Sequence, residues 1–206
     1  MDTNKSRAIE ISIAVDCAKP KAGTSSLGMA SVVFLRAVNV GGHQKFQPSI
    51  LAKALAEFGV VNVGAAGTLV VREKVSQKTL LTEIVRRLPF EPDLMICSAS
   101  EILDLFGDDP FPATPPGKDV RKFLTVMKKA PRALPALPLE KPVGAKWEVR
   151  LIRIEGRFAL SFWRPMGRSI TYPNAVVEKQ FGIPATTRSW NTITTVCGIL
   201  NKEHAN

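Results

Sequence analysis

The sequence has few of the residues that ordinarily carry catalysis. Of 206 residues only two are histidine, His43 and His204, too few for a histidine-based metal site. The cysteines, Cys17, Cys97 and Cys197, are odd in number, and their spacing matches neither a zinc site nor a redox motif. Buried thiols in a reducing cytosol account for them, so a cytoplasmic location is expected. No apolar run reaches the roughly 18 residues of a membrane span, and no membrane contact is expected. No serine or cysteine sits in a nucleophile motif. The carboxylates of Asp104, Asp108 and Asp109 end a helix before a loop. Their spacing specifies no metal, and none is expected. The residues name no cofactor and no oligomeric state, and they leave open whether the protein is an enzyme.

What the chain does have is basic charge, unevenly placed. The formal net charge is +10. Residues 111–172 hold 13 basic and 4 acidic side chains, a balance of +9, whereas 1–28, 29–110 and 173–206 stand at +1, −1 and +1. A basic segment in an otherwise balanced chain is expected at a surface that meets an anion. A solvated lysine- and arginine-rich face is the competing explanation.

Residues 1–28 read as an N-terminal extension. Ile9, Ile11, Ile13 and Val15 alternate as in a short strand, and a Pro/Gly/Ser/Thr linker runs from 19 to 28. The pattern then predicts a strand at 31–38 and a helix at 48–58, with Ile50, Leu51, Ala54, Leu55 and Phe58 on one stripe. Strands at 60–64 and 68–73, a helix at 76–88 and a strand at 93–97 complete the order βαββαβ, the ferredoxin-like arrangement. A helix at 100–106 follows. The pattern recurs with a strand at 120–127 and a proline-spaced stretch, 131–142, that can hold at most a short helix. Strands at 147–154 and 157–164, a helix at 174–181, a strand at 185–188 and a helix at 190–202 end it. The expected fold is α+β: two ferredoxin-like (βαββαβ) halves in tandem, 29–110 and 111–206, forming one compact unit. The four-proline loop at 108–117 is the expected boundary.

Short motifs lie along this frame. They are Arg-x-x-Asn-x-Gly-Gly (Arg36, Asn39, Gly41, Gly42), Asp109-Pro110-Phe111, Gly167-Arg168-Ser169, and the run Thr186-Thr187-Arg188-Ser189-Trp190-Asn191-Thr192. In this order and spacing, over residues 29–203, they resemble the bacterial domain-of-unknown-function family 1697. The resemblance implies two ferredoxin-like halves in one chain. It also implies that Arg36, Asn39 and Arg168 approach the junction at 188–191. The sequence departs from the family pattern at Ala66-Gly67-Thr68, where serine-glycine-asparagine is usual, and at Ile170, where lysine is usual. A family activity housed at these turns would be altered or lost here.

A glycine turn after a strand lets backbone N–H groups approach an anion. Asn39, Gly41 and Gly42 form one such turn, with Arg36 and Lys45 adding charge. It lacks the spacing and ending of a P-loop, and a tight turn needing positive φ is the alternative. The second candidate is the 188–191 junction. There Ser189 is placed to cap a helix whose N-terminus is partly positive. Arg188 brings paired donors, Asn191 lies in the first turn, and Trp190 offers a flat apolar wall. The candidate ligand-binding residues are thus Arg36, Asn39, Gly41, Gly42, Lys45, Arg168, Arg188, Trp190 and Asn191. A scaffold reading competes, with Trp190 as a core anchor and Arg188 paired with a carboxylate such as Glu178. Three functions follow: a small anionic or nucleotide-type ligand bound where the halves meet, non-specific nucleic-acid binding through 111–172, or a degenerate interaction module. Base stacking on a sheet is weakly matched. Leu160 stands at a stacking position, and Phe34, Phe123, Phe158 and Phe162 suit a core.

Overall fold

The computed structural model describes residues 30–36, 47–106, 110–111, 115, 119–166 and 171–202. Strand β1 (Ser31–Leu35) is apolar after its first residue and is buried on both faces. Such a run belongs at the centre of a sheet covered on both sides. It is followed by α1 (Pro48–Ala54), β2 (Val60–Asn62), β3 (Thr68–Val71), α2 (Gln77–Arg87), β4 (Leu94–Ser98) and α3 (Ala99–Leu103). The four strands form an antiparallel sheet in the order β2-β3-β1-β4. Pro48 opens α1, where a missing N–H costs nothing. The helix is shorter than the expected 48–58. It stops at Ala54, a 3-10 turn covers Ala56–Phe58, and Gly59 ends the segment at a φ of 59°. The Ser76 hydroxyl accepts from Thr79 N at 3.0 Å and caps α2. Ser98 and Glu101 form a reciprocal capping box at α3.

The second sheet contains β5 (Arg121–Met127), β6 (Leu139–Lys141), β7 (Val149–Glu155), β8 (Phe158–Trp163) and β9 (Ala185–Ser189), in the order β6-β7-β8-β5-β9. All its pairings are antiparallel. Helices α4 (Pro173–Phe181) and α5 (Trp190–Lys202) complete the chain. Here the expected βαββαβ order fails. The described residues between β5 and β7 hold no helix, and a three-residue strand, β6, takes the edge beside β7. Pro131, Pro135, Pro138 and Pro142 remove an N–H every three or four residues, which a helix cannot tolerate and a short edge strand can. The described fold is therefore α+β, with two antiparallel sheets and five α-helices.

Three apolar layers hold these elements. Leu51, Leu55, Leu80 and Ile84 of α1, α2 and their flanks cover Val33 and Leu35 on one face of the first sheet. Val176 and Val177 of α4 cover Leu151, Ala159 and Trp163 on one face of the second. Between them lies a shared core. Val32, Phe34, Val70 and Met95 from the first sheet meet Leu124, Val126, Phe158, Leu160 and Phe162 from the second, with Ile102, Ile193, Val196 and Leu200 from α3 and α5. Burying a large apolar side chain contributes about 1.5–3 kcal/mol. The four residues from the first sheet thus supply about 6–12 kcal/mol, comparable with the whole net stability of a domain, about 5–15 kcal/mol. Phe34, Phe158 and Phe162 are consumed by this core and present no stacking face. Among the described residues no helix is long and apolar enough to cross a membrane.

Candidate functional site

Three arginines tie the first sheet and its helices to the second. Arg36, just past β1, donates from Nε to Glu178 Oε1 at 3.0 Å and to Ala185 O at 3.2 Å, and from Nη1 to Asp93 Oδ2 at 3.2 Å. Its charge is met by two carboxylates. Arg157, at the β7–β8 turn, forms a fork with Glu101 at 2.9 Å on each carboxylate oxygen and donates to Ile96 O at 2.7 Å. Burial raises the Glu101 carboxyl, but hydrogen bonds from Arg157 and Ser98 outweigh it, and the net direction is downward.

Arg188 is different. It stands opposite Leu124 in the β5–β9 register, on the inner face, and is only 6% exposed. Nε donates to Thr68 Oγ1 at 2.7 Å. Nη1 donates to Thr186 Oγ1 at 2.8 Å and Thr187 O at 2.9 Å. Nη2 donates to Leu35 O and Ala66 O, both at 2.7 Å. All five N–H groups of the guanidinium are therefore occupied. Among the described residues no carboxylate faces it. Burial pushes its pKa down to about 10, so it stays charged at neutral pH. The expected alternative pairing with Glu178 does not occur, because Glu178 is held by Arg36 and by the Ala185 N–H. The Ala66 carbonyl and the Thr68 hydroxyl are both partners of Arg188.

The strand then passes into α5 through Ser189, whose hydroxyl accepts from Thr192 N at 3.3 Å, as the sequence predicts. Trp190 packs half-buried on the shared core, edge-on to Phe111 with ring centres 5.0 Å apart. Phe111 also meets Phe162 at 5.5 Å, and the Lys122 ammonium lies 5.1 Å from its ring centre. Lys122 is opposite Phe162, which is opposite Arg150, so the three share the inner face. Arg150 pairs with Glu140 and lies 4.4 Å from the Trp147 ring centre. Arg164 lies 4.1 Å from the same ring and donates to the carbonyls of Trp147 and Ala145. Asn191 is exposed, and its side chain has no partner among the described residues. The sequence points to Trp190 but not to Phe111 against it or to Lys122 over the Phe111 ring. The period-2 alternation of β5, which turns Lys122 inward, was the available signal.

The remaining candidates, Asn39, Gly41, Gly42, Lys45 and Arg168, lie outside the described residues, as do Cys17 and both histidines. Cys97 and Cys197 are buried in the shared core, and burial pushes the Cys97 thiol up to about 12. Among the described residues no three histidine, cysteine, aspartate or glutamate side chains gather to hold a metal.

The family model described as Protein of unknown function (DUF1697) matches residues 29–153, from β1 into β7. Gly167-Arg168-Ser169 and the 186–192 run fall beyond the matched residues. No curated protein and no solved structure matches the chain.

Proposed function

The chain belongs to this family of unknown function, which hands it no activity, and we propose from its own geometry that it binds a small phosphate-type anion where the two halves meet. The carrying observation is Arg188. Of the three crossing arginines, two are matched by carboxylates, and Arg188 leaves a positive charge inside the junction. Its donors are taken, so it acts through its field, which a low-dielectric interior screens little. Direct contact falls to groups at the mouth of the shared core. Lys122 supplies an ammonium without a carboxylate partner among the described residues, Asn191 supplies an amide, and the half-buried Trp190, backed edge-on by the buried Phe111, supplies an apolar wall. The capped start of α5 adds its dipole. Arg36 has a structural role in this reading. We further read the architecture as two related halves. The strand orders β2-β3-β1-β4 and β7-β8-β5-β9 correspond, with the proline-rich arm standing in place of one helix.

A thermal-shift titration tests the proposal with inorganic phosphate, adenosine monophosphate and adenosine. A ligand at 100 times its Kd stabilises by about 2.7 kcal/mol, which raises the midpoint of a chain this size by about 5–11 °C. Phosphate and the nucleotide should shift the midpoint, and adenosine should not. Lys122→Ala and Asn191→Ala should each abolish the shift; the exposed Asn191 should leave the unliganded midpoint in place, and Lys122, half-buried over Phe111, should lower it by about 1–4 °C, the worth of a cation–π contact of about 0.5–1 kcal/mol. A wild-type protein indifferent to both anions refutes the reading.

A further inference from the structure

A second basic region lies apart from the junction, around α4. One cleft, a cavity of about 420 Å³, opens between α4 and the edge strand β6 and is lined by Lys141, Lys179, Thr171 and Gln180. Another, of about 660 Å³, opens where the proline-rich arm crosses the end of α4, and is lined by Lys129, Arg132, Pro131, Phe181 and Gln180. Gln180 lines both. Neither cleft is lined by an aspartate or glutamate. Lys129, Arg132, Lys141 and Lys179 are all exposed and have no acidic partner among the described residues. The neighbouring carboxylates are engaged: Glu178 with Arg36, Glu140 with Arg150, and Glu148, which is buried and accepts from the Thr171 N–H at 3.1 Å.

We propose that these two clefts form one groove that binds single-stranded nucleic acid along its phosphate chain. Each cleft presents a pair of cations, so the matching ligand carries its negative charges in series. Phe181, half-buried in the wall of the second cleft, and the prolines of the arm give bases an apolar surface to rest on. An acidic peptide would be expected to dock by adding a strand to β6. That strand has three residues, and Pro138 and Pro142 bracket it without an N–H to offer. The proposal shares no residue with the junction and stands or falls independently of it.

Fluorescence anisotropy with a labelled oligothymidylate of about 12 nucleotides, within the usual range of site sizes, tests it across a salt series. Each neutralised phosphate contributes about −0.7 to the slope of log K against log salt for a single strand, so four cations predict a slope near −3. The Lys129→Ala/Lys141→Ala double variant should lose at least tenfold in affinity and about half the slope, with an unchanged thermal midpoint because both side chains are exposed. Lys122→Ala should bind as the wild type does. Absence of binding at low salt, retained affinity in the double variant, or equal competition by oligoglutamate would each overturn the proposal.

Discussion

Replacing Arg188 with methionine keeps the aliphatic stem and removes the guanidinium. Two threonine hydroxyls and the carbonyls of Leu35, Ala66 and Thr187 then lose their donor. The hydroxyls can rotate toward neighbouring oxygens, and the carbonyls cannot. An unsatisfied buried acceptor costs about 1–3 kcal/mol; the Leu35 carbonyl is buried and bears that cost, whereas the Ala66 and Thr187 carbonyls are only partly buried and can accept from water. Against this, the variant no longer desolvates a charge, a relief of several kcal/mol. Because every partner left behind is neutral, the net destabilisation is about 1–3 kcal/mol. For a chain of this length that lowers the thermal midpoint by about 2–12 °C. Urea unfolding followed by tryptophan fluorescence measures the loss directly. Arg188→Lys should fall between, since one ammonium cannot reach Thr68, Thr186 and Ala66 together. In a double-mutant cycle, Thr68→Val should cost less in the Arg188→Met background than in the wild type, by about 1 kcal/mol or more. A methionine variant within about 1 kcal/mol of the wild type would refute the reasoning, since it would mean that those oxygens are solvated or satisfied without the arginine.

Other predictions follow from the same contacts. The Glu101 carboxyl titrates below its ordinary 4.5 in the folded protein, so its ion pair adds stability above that value and loses it as pH falls through the lowered one. Glu101→Gln should flatten the stability–pH curve in that acid range and change little of its shape near neutrality, as urea midpoints across pH will show. The Ser161 hydroxyl is fully buried without a partner among the described residues, so Ser161→Ala should be neutral or stabilising by about 1 kcal/mol, and a clear loss of stability would show that the hydroxyl is hydrogen-bonded. Because one core joins both sheets, calorimetry should show a single unfolding transition, and fragments 29–112 and 113–206 should each be unfolded. Two separated transitions would contradict the shared core.

Much of the fold was legible because its elements carry local marks. The stripe Leu80-Ile84, the serine caps at Ser98 and Ser189, and the glycines after α1 and α4 place helix ends within a few residues. The continuous apolar run of β1 announces a strand covered on both faces. The β6 edge strand was not legible, since three residues amid prolines carry no periodicity and their pairing with Leu151 and Val149 is non-local. The role of Arg188 was hidden for a related reason. All five of its close acceptors are threonine hydroxyls or carbonyls, from Leu35, Ala66, Thr68, Thr186 and Thr187, and a backbone carbonyl leaves no trace in residue type. A sequence reading looks for a carboxylate and finds Glu178, which the fold gives to Arg36. Lys122 was visible only as one cation in a basic segment, because nothing in sequence joins Phe111 to Trp190.

Isothermal titration calorimetry with inorganic phosphate, run in parallel on the wild type and on Lys122→Ala, tests the central claim most directly. The junction account predicts saturable one-to-one binding to the wild type and a loss of at least tenfold in affinity in the variant, with Lys129→Ala binding as the wild type does. Absence of a saturable heat in the wild type, or equal affinity in Lys122→Ala, would contradict it.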